Sequence, residues 1–148
     1  MIRKMQLSDL DAIDQIEKES FRSRYKKEQY EYELQDNPCA YLYVLEVENE
    51  IVGFIDYWIT FDSCQLTKLA IAKAHRGKGY SLELMDHMIE EAIDLDCEAI
   101  LLEVRESNQI AQNLYASYDF IEINRRKGYY TDNKETAIVM GKAIGGLK

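Results

Sequence analysis

Proline occurs once (Pro38), histidine twice (His75, His87) and cysteine three times (Cys39, Cys64, Cys97) among 148 residues. With one proline, no glycine- or serine-rich stretch and no repeat, nothing marks a linker, so residues 1–148 read as one domain. A chain of this length buries about two-thirds of its unfolded surface and needs no disulfide or metal staple. No CxxC or HxxxH pair occurs, which leaves zinc sites and Ser-His-Asp chemistry poorly supplied, and no metal is expected. Three scattered cysteines suit a reducing cytoplasm and read as small buried apolar residues. The start, MIRKMQLSDL, has no apolar signal-type stretch, and no run approaches the roughly 18 apolar residues that cross a bilayer. Positive charge is also short: 18 Lys plus Arg against 27 Asp plus Glu leave a net −9. That balance disfavours nucleic acid or an anionic membrane as partner and suits a cationic substrate.

What is present is a clear alternation of elements. Ser8 with Asp11 three residues on has the form of a capping box and opens a helix carrying Leu10, Ile13 and Ile16. A more polar helix is expected over Lys26 to Gln35. Tyr41 to Val47 and Ile51 to Ile59 read as strands joined by the turn Glu48-Asn49-Glu50, with Asn49 suited to a left-handed conformation. A further strand, Leu66 to Ala72, leads into the basic glycine loop His75-Arg76-Gly77-Lys78-Gly79. The next helix presents Leu82, Met85, Ile89 and Ala92 on one face and Glu83, Asp86, Glu90 and Asp94 on the other. A buried strand follows from Ala99 to Leu102, ending in Glu103-Val104. A short helix (about Gln109 to Ser117) and two strands (Phe120 to Arg126, Ala137 to Met140) complete the chain. Hairpins around a central strand–loop–helix–strand unit imply a mixed α+β sheet.

The glycine loop is the first place where chemistry shows. Gly77 and Gly79 let the backbone turn tightly and approach a ligand, and the free N–H groups of the helix behind them favour an anion such as pyrophosphate. Arg76 and Lys78 add two cations. A plain strand-to-helix turn with surface charges accounts for the same residues. Two nucleotide motifs fail on spacing: Lys78 is followed by Gly79 and Tyr80 rather than Ser or Thr, and there are two glycines where a dinucleotide fingerprint needs three.

The stretch LAIAKAHRGKGYS, Leu69 to Ser81, resembles the acetyl-CoA pyrophosphate loop of the GNAT acetyltransferase superfamily. Downstream, Leu102-Glu103-Val104-Arg105-Glu106-Ser107-Asn108, Asn113-Leu114-Tyr115 and Arg125-Arg126-Lys127-Gly128-Tyr129-Tyr130 are similar to the subgroup that acetylates the N-terminal alanine of a ribosomal protein. The resemblance implies a mostly antiparallel twisted sheet flanked by helices, with a splayed strand before the loop. It implies acetyl-CoA as donor, a protein N-terminus as acceptor and a cytoplasmic site of action. The proposed general base of the family falls on Glu103 and the general acid on Tyr115. Cofactor contacts fall on Leu69, Ala70 and Ile71 (backbone), on Arg76, Gly77, Lys78, Gly79, Tyr80, Ser81 and Leu82, and on Asn108. Tyr25, Tyr129 and Tyr130 fall on the acceptor side.

Each role has a chemical rationale and a plainer alternative. A carboxylate ending an apolar strand can take a proton from an ammonium, or it can be a solvated Glu103 paired with Arg105. A phenol with a reference pKa of about 10 can donate to a thiolate of pKa about 8.5, yet Tyr115 is one of eleven tyrosines. Asn108 suits a helix N-cap as well as a cofactor contact. His75 and His87 are expected at exposed positions. Departures from the family pattern are Lys73 for a common proline, Ser81 for the last Gly/Ala of the loop, and Asp119 for a glycine. The acceptor-side segment Phe21-Arg22-Ser23-Arg24-Tyr25 lacks the usual Pro-Trp. Acetylation of a small amine or a lysine side chain is the alternative reaction, and a non-catalytic acyl-CoA-binding module is a third reading.

Overall fold

A computed structural model describes residues 1–22 and 24–148; Ser23, in the acceptor-side segment, lies outside the described residues. Seven strands form one sheet: β1 (Ile2–Lys4), β2 (Ala40–Val47), β3 (Glu50–Thr60), β4 (Ser63–Ile71), β5 (Ala99–Arg105), β6 (Ile121–Arg126) and β7 (Ala137–Ala143). Their order is β1-β2-β3-β4-β5-β7-β6, and every pair is antiparallel except β4 with β5. Helices α1 (Leu10–Ser20) and α2 (Lys27–Gln35) cover one face, and α3 (Tyr80–Asp94) with α4 (Gln109–Ser117) cover the other. This is the mixed, mostly antiparallel sheet the sequence implies.

Each face buries its own core. Leu10, Ile13 and Ile16 of α1 and Tyr30 of α2 pack on Leu42, Val44 and Phe54. Leu84, Met85, Met88 and Ala92 of α3 pack on Leu45, Ile55, Tyr57, Ile100 and Leu102. The α3 stripe therefore differs from the expected one: Leu82 is exposed and Ile89 only half-buried. The cause is position, since Leu82 sits in the first turn, at the end of the helix, where Tyr118 Oη donates to its carbonyl at 3.1 Å.

Local chemistry explains other boundaries. The expected Ser8–Asp11 box does not form. Asp9 accepts from the Gln6 N–H at 2.8 Å and from both terminal nitrogens of Arg3 at 2.9 Å, closing a 3₁₀ turn (Leu7–Asp9) before α1. The β2–β3 turn places Glu48 and Asn49 at φ 52° and 64°, as a tight hairpin demands. β4 starts three residues earlier than the sequence suggests, because Phe61 takes φ 55° and allows a two-residue turn from β3. Asp119, in a glycine's place, adopts φ 67°. Both histidines are half-buried, not exposed: His87 packs edge-on to Tyr43 at 4.3 Å between ring centroids, and His75 lies 3.4 Å from Glu50. Cys64 and Cys97 are buried while Cys39 is half-buried, and burial pushes the Cys64 thiol up to about 12.

Candidate active site

The parallel ladder between β4 and β5 pairs Ser63–Leu66 with Ala99–Leu102 and then stops. Thr67 is the reason on the β4 side. Register against β3 jumps from Leu66↔Tyr57 to Lys68↔Asp56, so Thr67 is an inserted bulge residue, its hydroxyl donating to the Asp56 carbonyl at 2.7 Å. A bulge bends its strand and increases its twist. β4 continues along β3 to Ile71, while β5 continues along β7 to Arg105. The wedge left between them is a cavity of about 460 Å³, lined by Lys68, Leu69, Glu103, Asn108, Tyr115 and Tyr130 among others. Beyond Leu66, the edge of β4 that faced β5 has no strand partner among the described residues; Leu69 lines the wedge there, whereas Ala70 and Ile71 lie outside its lining, paired with Phe54 and Gly53 of β3.

At the end of β4 the chain makes a 3₁₀ turn (Lys73–His75) and docks on the C-terminal end of α1. The Lys73 N–H donates to Glu19 Oε1 at 2.9 Å, a bond the proline common in the family could not make. Arg76 turns inward: Nε donates to the Ile71 carbonyl at 3.0 Å and Nη2 to Ser20 Oγ at 3.0 Å and the Glu19 carbonyl at 3.2 Å. Its guanidinium thus braces the loop; Arg76 and Lys78 are both exposed, and Lys78 is left to face solvent beside the glycines. Gly77 and Gly79 have φ 80° and 79°, and a Cβ at either would meet no protein atom within 4 Å. Among the described residues, the backbone N–H groups of Gly77, Lys78, Gly79, Tyr80 and Ser81 donate to no protein acceptor. Five consecutive free amides at the N-terminus of a 15-residue helix, under open space, fit a pyrophosphate. Tyr80 and Ser81 are half-buried in the first turn of α3.

Alternation along β5 separates the two candidate proton carriers. Leu102 and Val104 point into the core with α3, so Glu103 points to the opposite face. Its side chain is 20% exposed, 3.7 Å from Arg126 Nη1. A hydrogen bond from Tyr129 is the largest of the effects that push the Tyr129 phenol above its ordinary value. Arg105 is not its partner, contrary to the plainer reading of the sequence. That guanidinium engages Asp132 at 2.9 Å and Glu135 at 3.3 Å and lies 3.9 Å over the Tyr130 ring. Tyr115 comes from α4, packed with the α3 core and 6.0 Å from the Phe120 ring. Burial pushes its phenol up to about 12, with a smaller effect of Tyr130 and no hydrogen bond contributing. Asn108 caps α4, its Oδ1 accepting from the Ala111 N–H at 3.1 Å, and also lines the wedge. The N-cap reading of Asn108 is thus met, and the residue stands at the wedge where a cofactor contact is expected.

The acceptor-side aromatics divide. Tyr130 lines the wedge, while Tyr129 stands edge-on to it at 5.2 Å and is 45% exposed. Tyr25 is outside the wedge lining, stacked at a tilt against Tyr30 at 5.5 Å. A second strut, Arg22 to Asp132 at 3.3 Å, ties the α1–α2 connection to the β6–β7 loop.

Sequence reasoning missed Lys68. This lysine is 9% exposed, with Nζ 3.4 Å from the fully buried Glu17, 3.9 Å from the Phe21 ring centroid and 4.5 Å from that of Tyr25. Burial lowers its pKa and the Glu17 carboxylate opposes that shift. The one charged residue in the strand expected over Leu66 to Ala72 was the available signal.

The model of the Acetyltransferase (GNAT) family matches residues 10–120. A Bacillus subtilis (strain 168) protein, provisionally named a ribosomal protein bS18-alanine N-acetyltransferase, is 37% identical over 143 residues, covering 97% of this chain and 95% of its own. The Escherichia coli K12 protein named ribosomal protein bS18-alanine N-acetyltransferase is 27% identical over 146 residues, 97% of each chain. The crystal structure of the ribosomal-protein-S18-alanine N-acetyltransferase from Escherichia coli superposes with a TM-score of 0.89 at 26% identity, over 98% of this chain and 94% of that one. Arabidopsis thaliana NAA60, solved with a bisubstrate analogue, shares the fold at a TM-score of 0.87 and 19% identity, over 99% and 98% of the two chains.

Proposed function

The chain belongs to the GNAT acetyltransferase family, and from that premise we propose that it acetylates the N-terminal α-amine of a protein, of the ribosomal-protein alanine type. The observation that carries this reading is the wedge between β4 and β5, which receives Glu103 from one face of the sheet and Tyr115 from the other. GNAT enzymes use acetyl-CoA, which supplies the acetyl group as an activated thioester. The free amides of Gly77 to Ser81 and the Lys78 ammonium hold its pyrophosphate, and Arg76 keeps that loop in place. Asn108 contacts the donor from the α4 end.

Within the wedge, Glu103 Oε accepts a proton from the acceptor ammonium, directly or through one water. An α-amine, with a pKa of about 8 against about 10.4 for lysine, is the easier amine to neutralise. The backbone N–H of Leu69, the member of the Leu69–Ile71 stretch that lines the wedge, stabilises negative charge on the carbonyl oxygen under attack. Tyr115 Oη keeps its proton throughout the neutral range and delivers it to the departing sulfur. Tyr129 and Tyr130 form walls for the first residues of the acceptor, and Arg105 of β5 holds the β6–β7 loop through Tyr130, Asp132 and Glu135. A basic acceptor agrees with the net charge of −9, and a ribosomal acceptor places the reaction in the cytoplasm.

The test is CoA-thiol release from acetyl-CoA over a panel of alanine-first peptides, the same peptides blocked at the α-amine, free lysine peptides and polyamines. Alanine-first peptides with a free α-amine are expected to lead. Equal rates on blocked peptides overturn the reading.

A further inference from the structure

The α1–α2 face of the sheet carries a second polar cluster that the transfer chemistry leaves unused. Glu17, Glu33, Asp56 and Lys68 are all buried there. Glu17 accepts from the Tyr30 hydroxyl and from the Tyr25 N–H at 3.3 Å; Glu33 accepts from Trp58 Nε1 at 2.7 Å and Asn37 Nδ2 at 2.6 Å. Asp56 lies directly across the β3–β4 ladder from Lys68, and neither of its carboxyl oxygens has a partner among the described residues.

Without Lys68, this cluster would have aromatic walls from Phe21 and Tyr25 and carboxyl groups at Glu17 and Asp56. Aromatic faces with acidic groups behind them are how proteins take up a ligand ammonium. The cage is already filled by the chain's own cation, 3.9 Å and 4.5 Å from the two ring centroids. Phe21 and Lys68 line the same cavity as Glu103, so the filled cage opens on the acceptor side of the site. A second ammonium entering there would meet a like charge where burial weakens screening.

We propose that Lys68 is an acceptor-specificity residue: by filling the Phe21–Tyr25–Glu17 cage it denies that cage to the second ammonium of a diamine or polyamine. The proposal rests on the N-terminal-amine reading above and adds the device that rejects other amines. An acceptor peptide whose first residues carry no cation besides the α-amine has no second ammonium to place in the cage and is unaffected.

The experiment compares kcat/KM for spermidine with kcat/KM for an alanine-first peptide in the wild type, Lys68→Met and Lys68→Arg. Lys68→Met is expected to raise the spermidine-to-peptide ratio at least tenfold, through a lower KM for spermidine. Lys68→Arg, which keeps the cation, should hold the ratio within twofold. CoA affinity, read by calorimetry, should stay unchanged in both. If Lys68→Met loses its cooperative melt, Lys68→Gln is used for the same ratio. A peptide-selective wild type with an unchanged ratio in the neutral variant overturns the proposal alone. A wild type that already prefers spermidine overturns both the proposal and the acceptor reading.

Discussion

Replacing Glu103 by Gln removes the base while keeping its shape. Losing a positioned general base costs about 10²–10⁴-fold in rate, or about 3 to 5.5 kcal/mol in the barrier. Stability should hardly change. The Arg126 contact is long, at 3.7 Å, and Arg126 is 53% exposed, so that pair contributes under about 1 kcal/mol, and Gln still accepts from Tyr129. For a domain of this size that is a melting shift of under about 4 °C. The rate deficit should also depend on pH. An amine of pKa about 8 is neutral in about one molecule in eleven at pH 7 and in about ten in eleven at pH 9. The variant, which must wait for neutral amine, gains about tenfold over that interval, while the wild type rises less. Steady-state CoA-thiol release from pH 6.5 to 9.5, with CoA affinity by calorimetry, reads both effects. A rate within twofold of wild type at pH 7 refutes the reasoning. So does a variant that has lost CoA binding, because Glu103 would then serve the donor.

Tyr115→Phe should lower kcat at least about 100-fold with little change in either KM. Because burial holds the wild-type phenol protonated up to about 12, no alkaline limb from Tyr115 should appear below about pH 10; a limb near pH 8 that vanishes in the variant contradicts the assignment. Gly79→Ala meets no atom within 4 Å, so its cost is the left-handed conformation alone, about 1 kcal/mol or 2–4 °C in thermal melts. CoA binding, by calorimetry, should weaken severalfold because the methyl group intrudes over the free amides. Asp56, raised by burial and by the Glu33 charge to about 8, favours the folded state in its protonated form. Its contribution is full below about pH 4 and is lost as pH rises to 8, on the order of 5 kcal/mol at most. Asp56→Asn should flatten that decline and exceed the wild type in denaturation midpoint at pH 8; parallel curves for the two proteins would show that Asp56 is ionised in the fold.

The architecture was legible because its strongest signals are local. The apolar runs of β2, β3 and β5 and the loop from Arg76 to Gly79 stand out from any neighbour, and the Glu48-Asn49 turn is a backbone requirement written in one dipeptide. Glu103 and Tyr115 came through resemblance, since a strand-end glutamate and one tyrosine among eleven carry no distinguishing pattern of their own. The misses have a common origin in long-range geometry. Period-two reasoning puts Leu66 and Lys68 on one face, whereas the Thr67 bulge shifts the phase: Leu66 joins the α3 core and Lys68 turns toward Glu17. The inward turn of Arg76 depends on the end of α1, more than fifty residues away in sequence. Asp9 displaced the Ser8 cap because Arg3, on the neighbouring strand, holds that carboxylate.

The central claim is that the wedge serves an α-amine. One peptide tests it most directly: an alanine-first sequence with a free N-terminus and an internal lysine, incubated with the enzyme and acetyl-CoA and mapped by tandem mass spectrometry. The account predicts a single acetyl group on the alanine α-nitrogen. Acetylation of the lysine side chain at an equal or greater rate would contradict it.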